Sequence, residues 1–449
     1  MRGNRRLAWF VLVMAVASAG AQAPNRKGPL VVLISIDGLR PDYVTQADKH
    51  GLRVPNLRRF LIDGTFATGV HGVLPTVTYP SHTTMITGVS PAKHGIFDNH
   101  PFDPFDKNQS GWMWYAEDIR VTTLWDAARA AGLVTANVHW PVSVGAKLTY
   151  NLPQIWRTGN EEDRKLLRAL STPRLQAELE KDFEPYPDGI DESITGDERR
   201  ARFAVRLLEK KQPDFMTVYL TALDTEEHDT GPFSPASLAV LERIDVLIGA
   251  LRSAAERVSG GRAVVCLVSD HGFVRNDKEF QLTVAFREAG LIQFDARDKV
   301  ASWQAIPWSA GGVGPIFLKD PTDAAVREKV RVLLERLAGD PANGIAKILS
   351  EDEIRRLGGF PSAAFLVAMK PNYNLGSEAK GPLVTPARIP GNHGYLAEFP
   401  EMNSSFFIAG PGIARRRSLG LIDMRDVAPT LARILGVQLP AAEGKDVLQ

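Results

Sequence analysis

Three runs of apolar, largely β-branched residues stand out along the chain, and each runs into an aspartate: Val31–Ile36 before Asp37, Met216–Leu223 before Asp224, and Ala263–Ser269 before Asp270. Unbroken apolar runs of this length predict strands buried on both faces, as in a parallel sheet. Helical spacing lies between them. Leu238, Leu241, Ile244, Ile248, Leu251 and Ala255 share one face of a predicted helix, and Gly260-Gly261 ends it before the third strand. Leu124–Ala131 predicts a short helix closed by Gly132 and followed by a strand over Leu133–Trp140. Near the end, Ser405–Ala409 reads as a strand and Asp426–Leu435 as a helix closed by Gly436. Strands alternating with helices predict an α/β fold with a mostly parallel central sheet and helices on both faces.

Two stretches break this rhythm. Between Phe273 and Thr385, isolated strand-like pieces (Gly314–Lys319, Ala363–Met369) surround a helix over Asp323–Leu337, which predicts an inserted cap. Gly159–Pro213 is charge-rich with helical periodicity and reads as a solvated excursion. At the start, Arg2, Arg5 and Arg6 precede an apolar run from Leu7 to Ala19, and Ala21-Gln22-Ala23 is a small-residue cleavage site. The run is too short to span a bilayer comfortably. The expected organisation is a signal peptide at 1–23, a catalytic domain from 24–272 and 386–449, and an inserted cap at 273–385. This predicts a periplasmic or secreted protein with no membrane anchor in the mature chain.

Composition narrows the function by exclusion. The 449 residues carry 53 Lys plus Arg against 52 Asp plus Glu, and losing Arg2, Arg5 and Arg6 with the leader moves the net charge from +1 to −2. Such a chain is a poor electrostatic partner for duplex nucleic acid. A single cysteine, Cys266, rules out an internal disulfide framework and any cysteine-based zinc cluster.

The chemistry gathers at the predicted strand ends, where open α/β sheets bind ligands. Asp37, Asp224 and Asp270 fall there, His271 adjoins Asp270, and His228 is one helical turn from Asp224. His393 sits between Asn392 and Gly394 in a glycine-flanked segment. Carboxylate and imidazole without thiolate suit zinc, manganese or iron, and five or six such ligands suit a two-metal site. A nucleophile is expected in Pro75–Gly88, where Thr78 as cap, Pro80 and Gly88 outline a helix whose N-terminus can receive an anion. Residue chemistry alone leaves Thr76, Thr78, Ser81, Thr83 and Thr84 open.

LISIDG around Asp37, TYPSHTTMITG from Thr78, HGIFDN ending at Asn99, LDTEEHDTGP from Leu223, SDHG at Asp270 and GNHGY around His393 together resemble the nucleotide pyrophosphatase/phosphodiesterase family of the alkaline phosphatase superfamily. The resemblance implies an alkaline-phosphatase-like sandwich and a site for two Zn2+, with manganese or iron as alternatives. It implies that Asp224, His228 and His393 hold one ion, and that Asp37, Thr78, Asp270 and His271 hold the other. It selects Thr78 as nucleophile because Asn99 follows 21 residues later, the family's spacing to the asparagine that donates to the phosphoryl oxygen. The implied activity is hydrolysis of a small phosphodiester or nucleotide through a phosphothreonine. This chain departs from the family in having Tyr79 and Ser81 where phenylalanine and asparagine are common, and Trp156 but no tyrosine in Leu152–Asn160. Tyr79, Trp156, Trp114 and Tyr115 are candidate substrate-lining residues, with Trp112 beside them.

Competing readings are a phosphomonoesterase, a phospholipid-headgroup phosphodiesterase and a non-catalytic periplasmic binding protein. Related threonine-type monoesterases pair a lysine with an arginine to bind a third phosphoryl oxygen. The matching stretch, Val142–Tyr150, offers only Lys147, which favours diesters. A sulfatase is disfavoured because Cys266 lies mid-strand.

Overall fold

The computed structural model describes residues 28–108, 111–157, 160–181 and 183–449; the predicted leader lies outside the described residues. Eight strands form the central sheet in the order Arg417–Ser418, Gly64–Phe66, Phe406–Ala409, Ala263–Val268, Leu30–Ile36, Phe215–Leu220, Thr135–Val138 and Tyr150–Leu152. Leu30–Ile36 is the central strand and pairs in parallel with Phe215–Leu220 on one side and Ala263–Val268 on the other. Only Phe406–Ala409 runs against its neighbours in this sheet.

The unbroken apolar runs are explained by what covers each face. Val32, Ile34 and Ile36 pack with Leu57, Phe60, Leu207, Leu241 and Ile248 in one core. Val31 and Leu33 pack with Met85, Ile86, Trp125, Val427 and Leu431 in another. Successive strand residues therefore alternate between two helical layers, and no position on the strand can be polar without cost. Cys266 is a buried, unbridged member of the second core.

Two expectations need correcting. The run Met216–Asp224 is not all strand: extended structure stops at Leu220, and Asp224 lies in the first turn of the helix Ala222–Thr230. Nor is Gly159–Pro213 simply solvated. Its helix Ile194–Lys211 buries Phe203, Ala204, Leu207 and Leu208, together with Asp197 and Arg200. Asp197 accepts the Thr221 and Ala222 amide hydrogens at 2.9 Å each, so it caps the helix that carries Asp224.

Within 273–385, a four-stranded sheet (Ala305–Pro307, Val313–Leu318, Phe365–Met369, Ile345–Ser350) packs against the helix Ala324–Ala338 over its own apolar core. The strand Val274–Phe280 carries a second small sheet, which also recruits Gly391–Asn392 just ahead of His393. No described helix is long and apolar enough to cross a membrane.

Candidate functional site

The three central strands end side by side, and their carboxyl ends deliver the predicted residues to one place. Asp37 follows Leu30–Ile36 directly; Gly38 after it has φ of +70°, and a Cβ there would meet Glu227 Oε2 at 2.7 Å. The backbone must turn left-handed under a crowded wall, which only glycine does at no steric cost. Gly38 N–H in turn donates to Asp270 Oδ1 at 3.2 Å, tying the first and third strand ends together.

His271 is the hub. Its Nε2 lies 3.3 Å from Asp37 Oδ1, 3.2 Å from Asp270 Oδ2 and 4.0 Å from Asp224 Oδ1. His393 Nε2 is 3.6 Å and His228 Nε2 3.5 Å from Asp224. Two sets could each hold a metal ion, Asp224 with His271 and His393, and Asp37 with Asp270 and His271; within each set the donor atoms fall within 4.8 Å of one another. His228 joins the first set through Asp224.

The imidazoles are held in the form a metal needs. Nδ1 of His228 faces the Gly391 carbonyl at 3.0 Å, that of His271 faces Gly272 O at 3.1 Å, and that of His393 faces Thr76 O at 3.2 Å. A carbonyl can only accept, so each Nδ1 carries the proton and each Nε2 presents a lone pair. Burial, reinforced at His271 and His393 by neighbouring imidazoles, pushes these two well below the usual histidine range; burial also lowers His228. The carboxylates move the other way. Burial and the charges of Asp224 and Asp270 raise Asp37 well above its ordinary value, burial and Asp270 do the same to Asp224, and burial lifts Asp270 to about 6. Asp37 Oδ1, Asp224 Oδ1, Asp270 Oδ2 and His271 Nε2 are buried without a hydrogen-bond partner. Orphaned acceptors converging on one point fit a cation.

Thr78 begins the helix Thr78–Thr87, which ends at a left-handed Gly88 as expected. The predicted capping role is corrected, however. Val77 is the residue at the cap position, and no side chain of its own fills that role. The Tyr79 N–H donates instead to Asn99 Oδ1 at 2.8 Å, which leaves the Thr78 hydroxyl uncommitted to capping. This bond places Asn99 against the helix start and leaves its Nδ2 hydrogens as the donor end. The segment ahead of Thr78 is fixed as well: Gly394 N–H donates to Thr76 O at 3.1 Å, and Thr76 Oγ1 donates to Tyr395 O at 2.7 Å.

Of the candidate lining residues, Tyr79 and Trp156 are brought together by Trp112, whose ring centroid is 5.2 Å from Tyr79 and 4.6 Å from Trp156. Tyr79 is fully buried and its hydroxyl donates to Gln154 Oε1. Trp114 is buried in the same core, whereas Tyr115 is 45% exposed and touches only the Trp114 ring among aromatic neighbours.

Several site residues escaped the sequence reading. His82 Nδ1 donates to Thr78 O at 2.8 Å and lies 3.6 Å from Asp270 Oδ2, and its Nε2 meets Ser35 Oγ at 2.9 Å. Burial pushes His82 down to about 3, so it is neutral and positions the helix start. The signal was available, since His82 is one helical turn after Thr78. Tyr219 donates its hydroxyl to Asp37 Oδ2; as one apolar-run residue among many, it carried no signal. Phe273 packs its ring 4.8 Å from His228 and 5.4 Å from His393.

Comparisons with known proteins bear on the family and the fold. The family model "Type I phosphodiesterase / nucleotide pyrophosphatase" matches residues 31–396. Bovine ectonucleotide pyrophosphatase/phosphodiesterase family member 3 is 24% identical over 91% of this chain and 42% of its own length. The venom phosphodiesterase of Macrovipera lebetinus is 23% identical over 88% of this chain and 42% of its own. The chain thus spans less than half the length of these relatives. Among solved structures, an inactive threonine-to-alanine variant of murine ectonucleotide pyrophosphatase / phosphodiesterase 5 in complex with AMP superposes with a TM-score of 0.67 at 19% identity. That match covers 94% of this chain and all of the other. The human counterpart gives a TM-score of 0.65 at 19% identity over 93% and 99% of the two chains.

Proposed function

Because the chain belongs to the type I phosphodiesterase / nucleotide pyrophosphatase family, we propose that it is an exported metal-dependent phosphodiesterase acting on small diesters or nucleotides through Thr78. The observation that carries this reading is the set of orphaned, inward-facing acceptors on Asp37, Asp224, Asp270 and His271 beside a helix start that bears an uncapped threonine. Asp224, His228 and His393 would hold one ion, and Asp37, Asp270, His271 and Thr78 the other, with zinc favoured by the nitrogen-and-carboxylate donor set. When bound, two divalent ions supply charge neutralisation and acidify a coordinated hydroxyl.

The chain's own groups do the rest. Thr78 Oγ attacks phosphorus, the alkoxide of one ester group leaves and takes up a proton, and a phosphothreonine that retains the other ester results. Water then cleaves the threonine ester and regenerates the hydroxyl. Asn99 donates its amide hydrogens to a phosphoryl oxygen, in an orientation set by the Tyr79 N–H. Tyr219 and His82 hold Asp37 and the carbonyl of Thr78. Trp112 and Trp156 offer apolar faces to a leaving group, the buried Tyr79 ring backs Trp112, and the unit 273–385 serves as a cap beside them. Val142–Tyr150 offers only the exposed Lys147 with no arginine two residues on, which supports diesters over monoesters. Export rests on the pattern of Met1–Ala23.

The test compares bis-p-nitrophenyl phosphate with p-nitrophenyl phosphate on zinc-loaded protein and on Thr78→Ala. Diester turnover should dominate and vanish in the variant. Monoester turnover far above diester turnover, or full activity without Thr78, would overturn the proposal.

A further inference from the structure

A cavity of about 550 Å3 opens between residues 95–120 and 303–362. It adjoins the site described above without sharing its residues: none of the proposed metal ligands lines it, nor do Thr78, Tyr79, Asn99 or Trp112, although His100 on its wall packs 4.4 Å from the Trp112 ring. Its size is that of a small-molecule pocket. The walls are aromatic, with Phe97, Phe102, Trp303, Trp308, Phe317 and Phe360 contributing. Phe102 is the pivot, its ring 4.4 Å from Phe317 and 5.3 Å from Trp308, yet it remains 41% exposed.

The charges around these rings are unbalanced. Glu117 and Asp118 line the cavity against one cation, Arg120, whose guanidinium already lies 5.5 Å over the Phe97 ring, and Asp98 adds a carboxyl that burial pushes up to about 7. His100 also lines it, and burial lowers that imidazole below the usual histidine range. Electron-rich ring faces under a net acidic rim attract an organic cation and repel an anion of the same shape.

The cavity is wired to the nucleophile's helix. Trp308 Nε1–H donates to Asp98 Oδ2 at 3.0 Å, and Asp98 Oδ1 accepts the Asn99 N–H at 2.7 Å. Asn99 Oδ1 takes the Tyr79 N–H at 2.8 Å, so three hydrogen bonds run from the cavity wall to the residue after Thr78.

We propose that this cavity is a second binding site, for a small organic cation with an aromatic or alkyl body, and that its occupancy is transmitted to Asn99 through Trp308 and Asp98. A cation against Trp308 sits beside the Asp98 carboxylate and holds it ionised. An ionised acceptor binds the Asn99 amide more tightly and steadies the donor that meets the phosphoryl oxygen.

The test titrates the full-length, metal-loaded protein with phenyltrimethylammonium and with benzenesulfonate, by calorimetry and by diester turnover. The cation should bind saturably, at least about tenfold more tightly than the sulfonate, and raise kcat about fivefold without changing KM. Phe102→Ala, an exposed position, should weaken that binding about tenfold. Trp308→Phe keeps the ring but lacks the donor, so binding should persist while the kcat response disappears. Absence of saturable binding, equal affinity for the sulfonate, or a rise in KM marking competition in the cleft would each overturn the proposal. The turnover arm rests on the proposed hydrolysis and the calorimetric arm does not, so an inactive protein that still binds the cation would fault only the hydrolysis.

Discussion

Two clusters of charge, one wholly and one largely out of water, are resolved in opposite ways. In the first, Asp197 and Arg200 are each 0% exposed, and Arg200 Nη1 donates to Asp197 Oδ1 at 2.9 Å. The Asp197 carboxylate is satisfied further by the Thr221 and Ala222 amides, and Arg200 also reaches Thr221 Oγ1 at 3.2 Å. In the second, Asp37, Asp224 and Asp270 face one another with neutral imidazoles and no cationic side chain among them, leaving acceptor atoms orphaned. Burying like charges without a counter-ion costs several kcal/mol per ion. The first cluster is charge-balanced, with only Arg200 Nε left without a partner, and it serves the fold by capping the Asp224 helix. The second becomes complete only with something added, and that is the physical mark of a ligand site.

The largest effect should come from neutralising the incomplete cluster. Asp224→Asn or Asp270→Asn should cut diester turnover on the order of a thousandfold, while the metal-free variant melts no lower than the metal-free parent because a repulsive charge has gone. A lower melting temperature in metal-free buffer would mean that the carboxylates are paired after all. Asp197→Ala should do the reverse. It strands Arg200 in the interior and costs about 3–5 kcal/mol in urea unfolding, with metal content per folded chain unchanged. Loss of metal in that variant would erase the distinction between the two clusters.

A smaller effect attends chelation. At free metal near a hundred times its dissociation constant, binding stabilises the fold by about 2.7 kcal/mol, so stripping the metal should lower the unfolding free energy by that amount and the midpoint with it. An unchanged midpoint would show that the orphaned acceptors do not hold an ion.

The smallest effect tests an intermediate case. Asp98 has two hydrogen-bond donors but no ion pair, and burial pushes its carboxyl up to about 7. A raised folded-state value means that its contribution to stability is full below about pH 4 and is lost as pH rises through about 7. Asp98→Asn should flatten that part of the stability–pH curve, measured on metal-free protein so that the cluster contributes equally to both. An unaltered slope would place the titration elsewhere.

How much of this was legible in the residues depends on where the information lies. Asp37 and Asp270 were readable because each directly follows an apolar run that both helical layers bury. Asp224 was readable as a site residue but misplaced, since Ala222 and Leu223 extend the apolar run past the strand end into a helix. Thr78 was readable as a helix start, yet its relation to capping was not, because the group that takes the Tyr79 amide comes from Asn99 in another loop. Contacts such as Trp308 with Asp98, 210 residues apart, leave no local trace at either end. The aromatic group of Tyr79, Trp112 and Trp156 was only partly visible, since a helix start and two loops bring the rings together and spacing along the chain cannot tell which aromatic stays outside, as Tyr115 does.

The central claim is that Thr78 carries the substrate during turnover. Its most direct test is acid quench of metal-loaded protein during hydrolysis of bis-p-nitrophenyl phosphate, followed by mass spectrometry of the peptide that spans Val77–Thr87. The account predicts a p-nitrophenylphosphoryl group on Thr78, absent without metal and absent in Thr78→Ala. An unmodified Thr78 under steady turnover, or the adduct on Thr76, Ser81, Thr83 or Thr84, would contradict it.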